Sequence, residues 1–140
     1  MFPDGPVSWC SHQLWYTPDV AKGTSEGNEP VLCVVFYRTE AGNEPVRQWL
    51  KGLKREDRRA LGQDIKTAQY GWPLGMPLIR KLEPGLWEVR SHIPQGIARV
   101  LFTVADGVMV LLHGFVKRSQ KIPPGDLKVA RQRLADLREE

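Results

Sequence analysis

Basic side chains recur in the C-terminal half of this 140-residue sequence, each within or just beyond a segment whose alternating pattern predicts a β-strand. The candidates for chemistry on these segments are Arg90, Arg99, His113, Lys117 and Arg118, and Lys121 follows a few residues later. Consecutive strands usually lie side by side in a sheet, so we expect these cations to converge on one region of its surface. Because guanidinium and ammonium groups bind phosphate oxygens, the pattern predicts an anion-binding surface.

The pair Arg90 and Arg99 carries most of this prediction. Arginines on neighbouring strands repel each other unless an anion or an acid lies between them. If helices cover one face of the sheet, arginines within alternating strands should point to the other, open face. Two structural alternatives stay open: each arginine is a solvent-facing residue of a half-exposed sheet, or Glu88 neutralises Arg90.

His113 is the one ordinary acid–base candidate on the predicted strands. Because side chains alternate along a strand, His113, Phe115 and Lys117 share one face. A purely structural hydrogen bond is the alternative for His113, and Phe115 either stacks on a base or packs in the core. His12 and His92 stand apart from His113 in the sequence, so neither a metal site nor a cofactor is predicted.

Hydrophobic periodicity predicts the elements that position these side chains. Residues 31–37 form an apolar, β-branched run, which indicates a central strand covered on both faces. Apolar residues at helical spacing then predict a helix over about residues 45–53 and a second one over about residues 56–70. The short junction between these two helices favours an antiparallel hairpin laid on the sheet.

Three alternating segments predict a meander of antiparallel strands, at residues 86–90, 97–104 and 108–116. A terminal helix follows Pro123 and Pro124. The predicted fold is therefore α+β in the order β-α-α-β-β-β-α, with the helical hairpin packed on a twisted, mainly antiparallel sheet.

Composition divides the chain into two parts. Residues 1–30 carry a net charge of −3 and no hydrophobic period, which predicts a poorly ordered extension, whereas residues 31–140 carry +7 and form the predicted domain. Its basic charge points to a polyanion partner, and a surface that is basic only for solubility is an equal alternative. Cys10 and Cys33 lack metal-ligand spacing and are interpreted as reduced thiols. No run of about eighteen apolar residues and no signal peptide is seen, so we expect a cytoplasmic protein without a membrane span.

Five short segments, in the same order, resemble HigB-type toxins of the RelE superfamily. They are VVFYRTE at 34–40, PVRQWL at 45–50, RKLEPGLWEVR at 80–90, GIARVLF at 96–102 and LLHGFVKRSQKIP at 111–123. The resemblance covers about residues 32–138. It implies a RelE-like fold, which agrees with the order of elements predicted above.

The resemblance implies the toxin of a type II toxin–antitoxin system, an mRNA interferase that cleaves mRNA in the ribosomal A site. In the implied reaction the RNA 2′-OH attacks the adjacent phosphate without a metal. Residue by residue, the resemblance implies catalytic roles for Arg90, Arg99, Lys117 and Arg118, and His113 joins them as the acid–base candidate on the strands. The residues expected to bind RNA are Lys81, Phe115 and Lys121. Many relatives place a catalytic tyrosine after the basic pair, where this chain has Ile122-Pro123-Pro124, so the general base stays open.

The partners that the resemblance implies are a HigA-type helix-turn-helix antitoxin and the ribosome. Other members of the superfamily keep two alternatives open. ParE-like members bind DNA gyrase without being nucleases, and inactive relatives bind RNA without toxicity. The segments at Lys81-Leu82 and at His113–Lys117 favour the HigB type over the ParE type.

Overall fold

Five strands form one mixed sheet in the computed structural model, which describes residues 31–73, 75, 78–118 and 121–138. The strands are β1 (Cys33–Phe36), β2 (Ile79–Glu83), β3 (Leu86–Ile93), β4 (Gly96–Ala105) and β5 (Val108–Lys117), and the helices are α1 (Pro45–Lys51), α2 (Arg55–Gly71) and α3 (Pro124–Arg138). The spatial order is β1-β5-β4-β3-β2, with β1 parallel to β5 and the other pairs antiparallel. The predicted α+β architecture, with its helical hairpin and terminal helix, is confirmed.

The helical hairpin of α1 and α2 covers one face of the sheet. Leu50 of α1 and Leu61 and Ile65 of α2 are buried against strand residues such as Val100. These side chains recur at helical spacing, so each helix presents one apolar stripe to the sheet. Each buried side chain of this size contributes roughly 1.5–3 kcal/mol. The core under the hairpin holds more buried residues than the core on the opposite face, so it is the larger of the two.

The C-terminal helix α3 packs on the opposite face of the sheet. Ala130 and Leu134 of α3 are buried together with Leu86, Leu101 and Leu112 of the strands. Both faces of the sheet are therefore partly or wholly covered by helices. The face that the sequence predicted to be open is only open where α3 does not reach.

The strand β1 lies at an edge of the sheet and is not the predicted central strand. Within the described residues it pairs with β5 alone. Its faces are nevertheless covered as predicted, since Val34 and Phe36 belong to the core under the hairpin and Val35 is buried on the other side. A continuous apolar run reports that both faces are covered, and it does not report how many strands lie beside it.

The strand β2 is an addition to the predicted order, which becomes β-α-α-β-β-β-β-α. It pairs antiparallel with β3 across a turn at Pro84-Gly85, where Gly85 has a φ of 82°. Three of its five residues are charged, so apolar alternation does not mark it. Short, charged segments are typical of edge strands, which need a partner on one side only.

Cys33 is disulfide-bonded, so the prediction of a reduced thiol is wrong for this residue. That prediction rested on how rarely disulfides occur in the cytoplasm and not on geometry. Cys10 is the other cysteine of the chain, and it lies outside the described residues together with the whole predicted extension at 1–30. Among the described helices none is both long and apolar enough to cross a membrane.

Candidate functional site

A β-bulge in β5 determines which way His113 points. Leu101 of β4 lies opposite His113, and the next residue, Phe102, lies opposite Leu111, which leaves Leu112 as an extra residue in β5. Leu111 packs under the helical hairpin and Leu112 packs under α3. Simple alternation from Leu111 would turn His113 toward the hairpin. Because Leu112 is an extra residue, the side chains that follow it point to the other face, and His113 lies on the face covered by α3.

The strand register aligns the sequence-predicted residues on that same face. Arg90 of β3 lies opposite Arg99 of β4, and Arg99 lies opposite Phe115 of β5. His113 and Lys117 stand two residues before and after Phe115, so the predicted shared face of these three residues is confirmed. The predicted proximity of Arg90 and Arg99 on neighbouring strands is confirmed as well.

A buried carboxylate organises the arginines. Glu88 is 0% exposed, and its Oε2 lies 3.0 Å from Nε of Arg80 on β2 and 3.8 Å from Nε of Arg90. Its charge and those of Arg80 and Arg90 also act on the guanidinium of Arg99. We call Arg80, Arg90, Arg99 and Glu88 the arginine cluster. The alternative in which Glu88 neutralises Arg90 is thus realised, but one carboxylate serves three guanidinium groups and leaves the cluster cationic.

Arg99 is the largest of the fully buried side chains. Burial lowers the pKa of its guanidinium, the carboxylate of Glu88 opposes that shift, and the positive charges of Arg90 and Arg80 add to it. The prediction that Arg99 points to an open face of the sheet is therefore wrong. The reason is its central position, because Arg90 and Phe115 flank it on the two neighbouring strands and α3 packs on the same face.

The ring of His113 is held from two sides. Its Nε2 lies 2.7 Å from Oδ1 of Asp126, in the first turn of α3. The ring of Phe115 stacks beside it with a centroid distance of 5.7 Å and an interplanar angle of 29°. The side chain of His113 is 19% exposed. The hydrogen-bonded alternative for His113 is therefore present, and the ring still reaches solvent.

The remaining predicted residues divide between the two faces. Lys117 is exposed at the end of β5, Arg118 lies beside Gly96 at the start of β4, and Lys121 is exposed shortly before α3. Lys81 is next to Arg80 in β2 and so points to the hairpin face, where its Nζ lies 5.8 Å from the ring centroid of Trp87. The structure thus separates Lys81 from the other predicted residues.

Phe115 is 7% exposed, and its ring packs against His113 and the core under α3. Little of the ring remains for a base to stack on. Phe115 therefore takes the packing alternative. Trp72 also packs in the molecule, edge-on against Trp87 and Phe102 on the hairpin face.

Two members of the site escaped prediction from the sequence. Arg80 lies opposite Glu88 across the β2–β3 hairpin, and the Pro84-Gly85 turn is the signal that would have revealed that pairing. Asp126 lies thirteen residues after His113, and its approach depends on how α3 docks, for which the sequence carries no signal. Within the described residues, no three His, Cys, Asp or Glu side chains gather as a metal site would require.

The arrangement combines two chemical capacities on one face of the sheet. The net positive charge of the arginine cluster can attract a phosphodiester, which can contact Arg80, whose side chain is 34% exposed, whereas Arg90 and Arg99 are largely buried. His113, with one ring nitrogen held by a carboxylate, can accept or donate a proton at the other. Arg99 and His113 lie close to each other on this face, because Arg99 is opposite Phe115 and His113 is two residues before Phe115 on the same strand.

Comparison with known families shows where this arrangement belongs. The family described as phage-derived protein Gp49-like (DUF891) matches residues 48–135, more than half of the chain. The chain belongs to the Gp49-like family. This family is a RelE-like, toxin-like family of toxin–antitoxin systems, so the resemblance to the RelE superfamily is confirmed. The matched segment contains the arginine cluster, His113 and Asp126. No curated protein matches the chain.

Proposed function

We propose that this Gp49-like protein is the toxin of a type II toxin–antitoxin pair and that it acts as a HigB-type mRNA interferase on the ribosome. The observation that carries the proposal is the placement of the arginine cluster and His113 on one face of the sheet. A surface that only attracts RNA needs cations alone. A proton-transferring side chain held beside buried guanidinium groups favours cleavage.

In the proposed reaction the ribose 2′-OH of the mRNA attacks the adjacent phosphorus. The O2′–P bond forms, the P–O5′ bond breaks, and the products are a 2′,3′-cyclic phosphate and a 5′-OH. Arg118, which is exposed just after β5, contacts the phosphate oxygens, and the buried positive charges of Arg90 and Arg99 stabilise at longer range the negative charge that develops there. His113 takes the proton of the 2′-OH, and Lys117 on the same face is the candidate donor to the leaving 5′ oxygen.

A HigA-type helix-turn-helix antitoxin is the proposed partner. Residues 31–140 carry a net charge of +7, so an acidic segment of the antitoxin would be attracted to this domain. If that segment lies over the face of the arginine cluster, it excludes mRNA and neutralises the toxin directly. A neutralised complex that leaves the exposed Lys117 and Arg118 accessible to chemical modification would contradict this mode of inhibition.

The test is cleavage of mRNA on translating ribosomes by the purified protein. Arg118→Ala should reduce cleavage about 10²-fold if it removes a preorganised phosphate contact, and Arg118 is exposed, so folding should be unaffected. Lys66→Ala is the matched control, because Lys66 lies on α2 behind the sheet, near Tyr70. Arg99 is less suitable, since replacing a fully buried side chain also disturbs packing.

Two outcomes would contradict parts of the proposal. Equal cleavage by Arg118→Ala and Lys66→Ala would remove Arg118 from the site. A wild-type protein that inhibits gyrase and leaves ribosome-bound mRNA intact would instead favour a ParE-like toxin.

A further inference from the structure

We infer that Asp126 is the positioning residue of His113: its carboxylate keeps the hydrogen of the neutral imidazole on Nε2 and leaves the lone pair of Nδ1 to accept the proton of the RNA 2′-OH. This inference rests on the proposed function and deepens it, because it names the atom that acts as the base. It also fills the role that the missing tyrosine leaves open in this chain.

The first support is the contact between the two side chains. Nε2 of His113 lies 2.7 Å from Oδ1 of Asp126, a short distance for a hydrogen bond between nitrogen and oxygen. An ionised carboxylate can only accept hydrogen bonds, so Nε2 carries the hydrogen and donates it. A neutral imidazole has one hydrogen to place, and Nδ1 is therefore the unprotonated nitrogen.

The second support is the restraint of the ring by other elements. Phe115 stacks on the ring from within β5, while Asp126 reaches it from the first turn of α3. The bulge at Leu112 turns the whole side chain toward this face. Three separate features thus determine the orientation of a side chain that is still 19% exposed. A carboxylate that orients a histidine base in this way is a recurring device in acid–base catalysis.

A structural role for Asp126 is the competing explanation. An acidic residue in the first turn of a helix interacts favourably with the helix dipole, whether or not His113 does chemistry. Glu83 provides a matched control for the docking of α3. It binds Arg131 of α3 at 2.8 Å and lies on β2, which β3 and β4 separate from His113 on β5. Glu83→Gln therefore removes a carboxylate that ties α3 to the sheet without touching the proposed base.

The experiment has one readout that does not depend on activity. Nitrogen NMR of the histidine rings reports which ring nitrogen carries the hydrogen, and the exposed His92 serves as the reference for a solvated ring. In the wild-type protein and in Glu83→Gln, His113 should be the Nε2–H tautomer. In Asp126→Ala it should become a mixture like that of His92.

The second readout is the rate of mRNA cleavage on ribosomes. Asp126→Asn and Asp126→Ala should lower the maximal rate by at least about 10-fold, as part of the roughly 10²–10⁴ that a positioned acid or base contributes. The affinity for the ribosome should stay unchanged, and Asp126→Glu should recover part of the rate. Asp126→Asn keeps the size of the side chain, so it tests the inference even if Asp126→Ala folds poorly.

Each result decides between the possibilities. A wild-type His113 that carries its hydrogen on Nδ1 overturns the inference, and so does full cleavage by Asp126→Asn when His113→Ala has lost it. Equal losses in Asp126→Asn and Glu83→Gln would mean that Asp126 only docks α3. If the wild-type protein cleaves no RNA at all, the proposed function is wrong, and so is the catalytic role of His113 and Asp126.

Discussion

Arg133 of α3 donates a hydrogen bond of 2.8 Å from Nη1 to the backbone oxygen of Leu112, the extra residue of the β5 bulge. Burial lowers the pKa of Arg133, and interactions with Tyr37 and Asp136 oppose that shift. The guanidinium carbon of Arg133 lies 5.4 Å from the ring centroid of Tyr37, whose hydroxyl donates to Oδ2 of Asp136 at 2.9 Å. Through these contacts α3 is joined to the bulge that orients His113.

Replacing Arg133 with Met should destabilise the fold by about 1–3 kcal/mol, because the carbonyl oxygen of Leu112 loses its side-chain donor. Arg131→Met is the control on the same helix, since its pair with Glu83 is exposed to solvent and is expected to contribute little. Urea unfolding of the two variants measures the difference. Equal free energies of unfolding would show that the contact with Leu112 stabilises nothing.

Tyr37 should make stability depend on alkaline pH. Burial raises its pKa above the ordinary value of 10.0, and the hydrogen bond to Asp136 raises it further. The folded protein therefore favours the neutral phenol, so this contribution is complete below pH 10.0 and is lost as the pH rises through the raised pKa. The stability advantage of wild type over Tyr37→Phe should shrink across that range in urea titrations. An advantage that stays constant, or grows, would contradict the assignment.

Glu88→Gln should be strongly destabilising, by about 3 kcal/mol or more, because the guanidinium groups of the arginine cluster lose the buried carboxylate they share. Glu83→Gln is the control, because it removes a carboxylate from a more exposed pair and should cost much less stability. Inorganic phosphate should raise the melting temperature of Glu88→Gln more than that of wild type, since an anion can replace the lost charge. Two results together would show that Glu88 does not organise the cluster. They are equal melting temperatures for Glu88→Gln and Glu83→Gln, and an equal effect of phosphate on Glu88→Gln and wild type.

Gly114→Ala should cost about 1–3 kcal/mol and lower the melting temperature by several degrees. A methyl group on Gly114 would overlap the indole of Trp49 on α1, so the helix would have to shift away from β5. Gly125→Ala is the control, because a methyl group there meets no described atom within 4 Å and Gly125 has no positive φ. Thermal unfolding of both variants measures the effect, and an unchanged melting temperature for Gly114→Ala would show that α1 adjusts freely.

Much of the fold could be predicted from the sequence because its signals are local. The period of two in β3, β4 and β5 predicts three strands that alternate between two faces, and the short turns between them predict antiparallel pairing. The same local rule places His113, Phe115 and Lys117 on one side of β5, and Arg90 beside Arg99. The strand β2 escaped because an edge strand with three charged residues lacks that period.

The chemistry of the site depended on features that act over long distances. Alternation alone could not show that an extra residue at Leu112 turns His113 toward the arginines, because a bulge changes the parity without leaving a period of its own. Nor could it show that Arg99 is buried, since burial depends on which side chains flank it across two strands and on where α3 packs. The contact of Asp126 with His113 is likewise decided by the docking of α3. The sequence determined which residues share a strand face, whereas only tertiary packing decided which faces meet and which charges become buried.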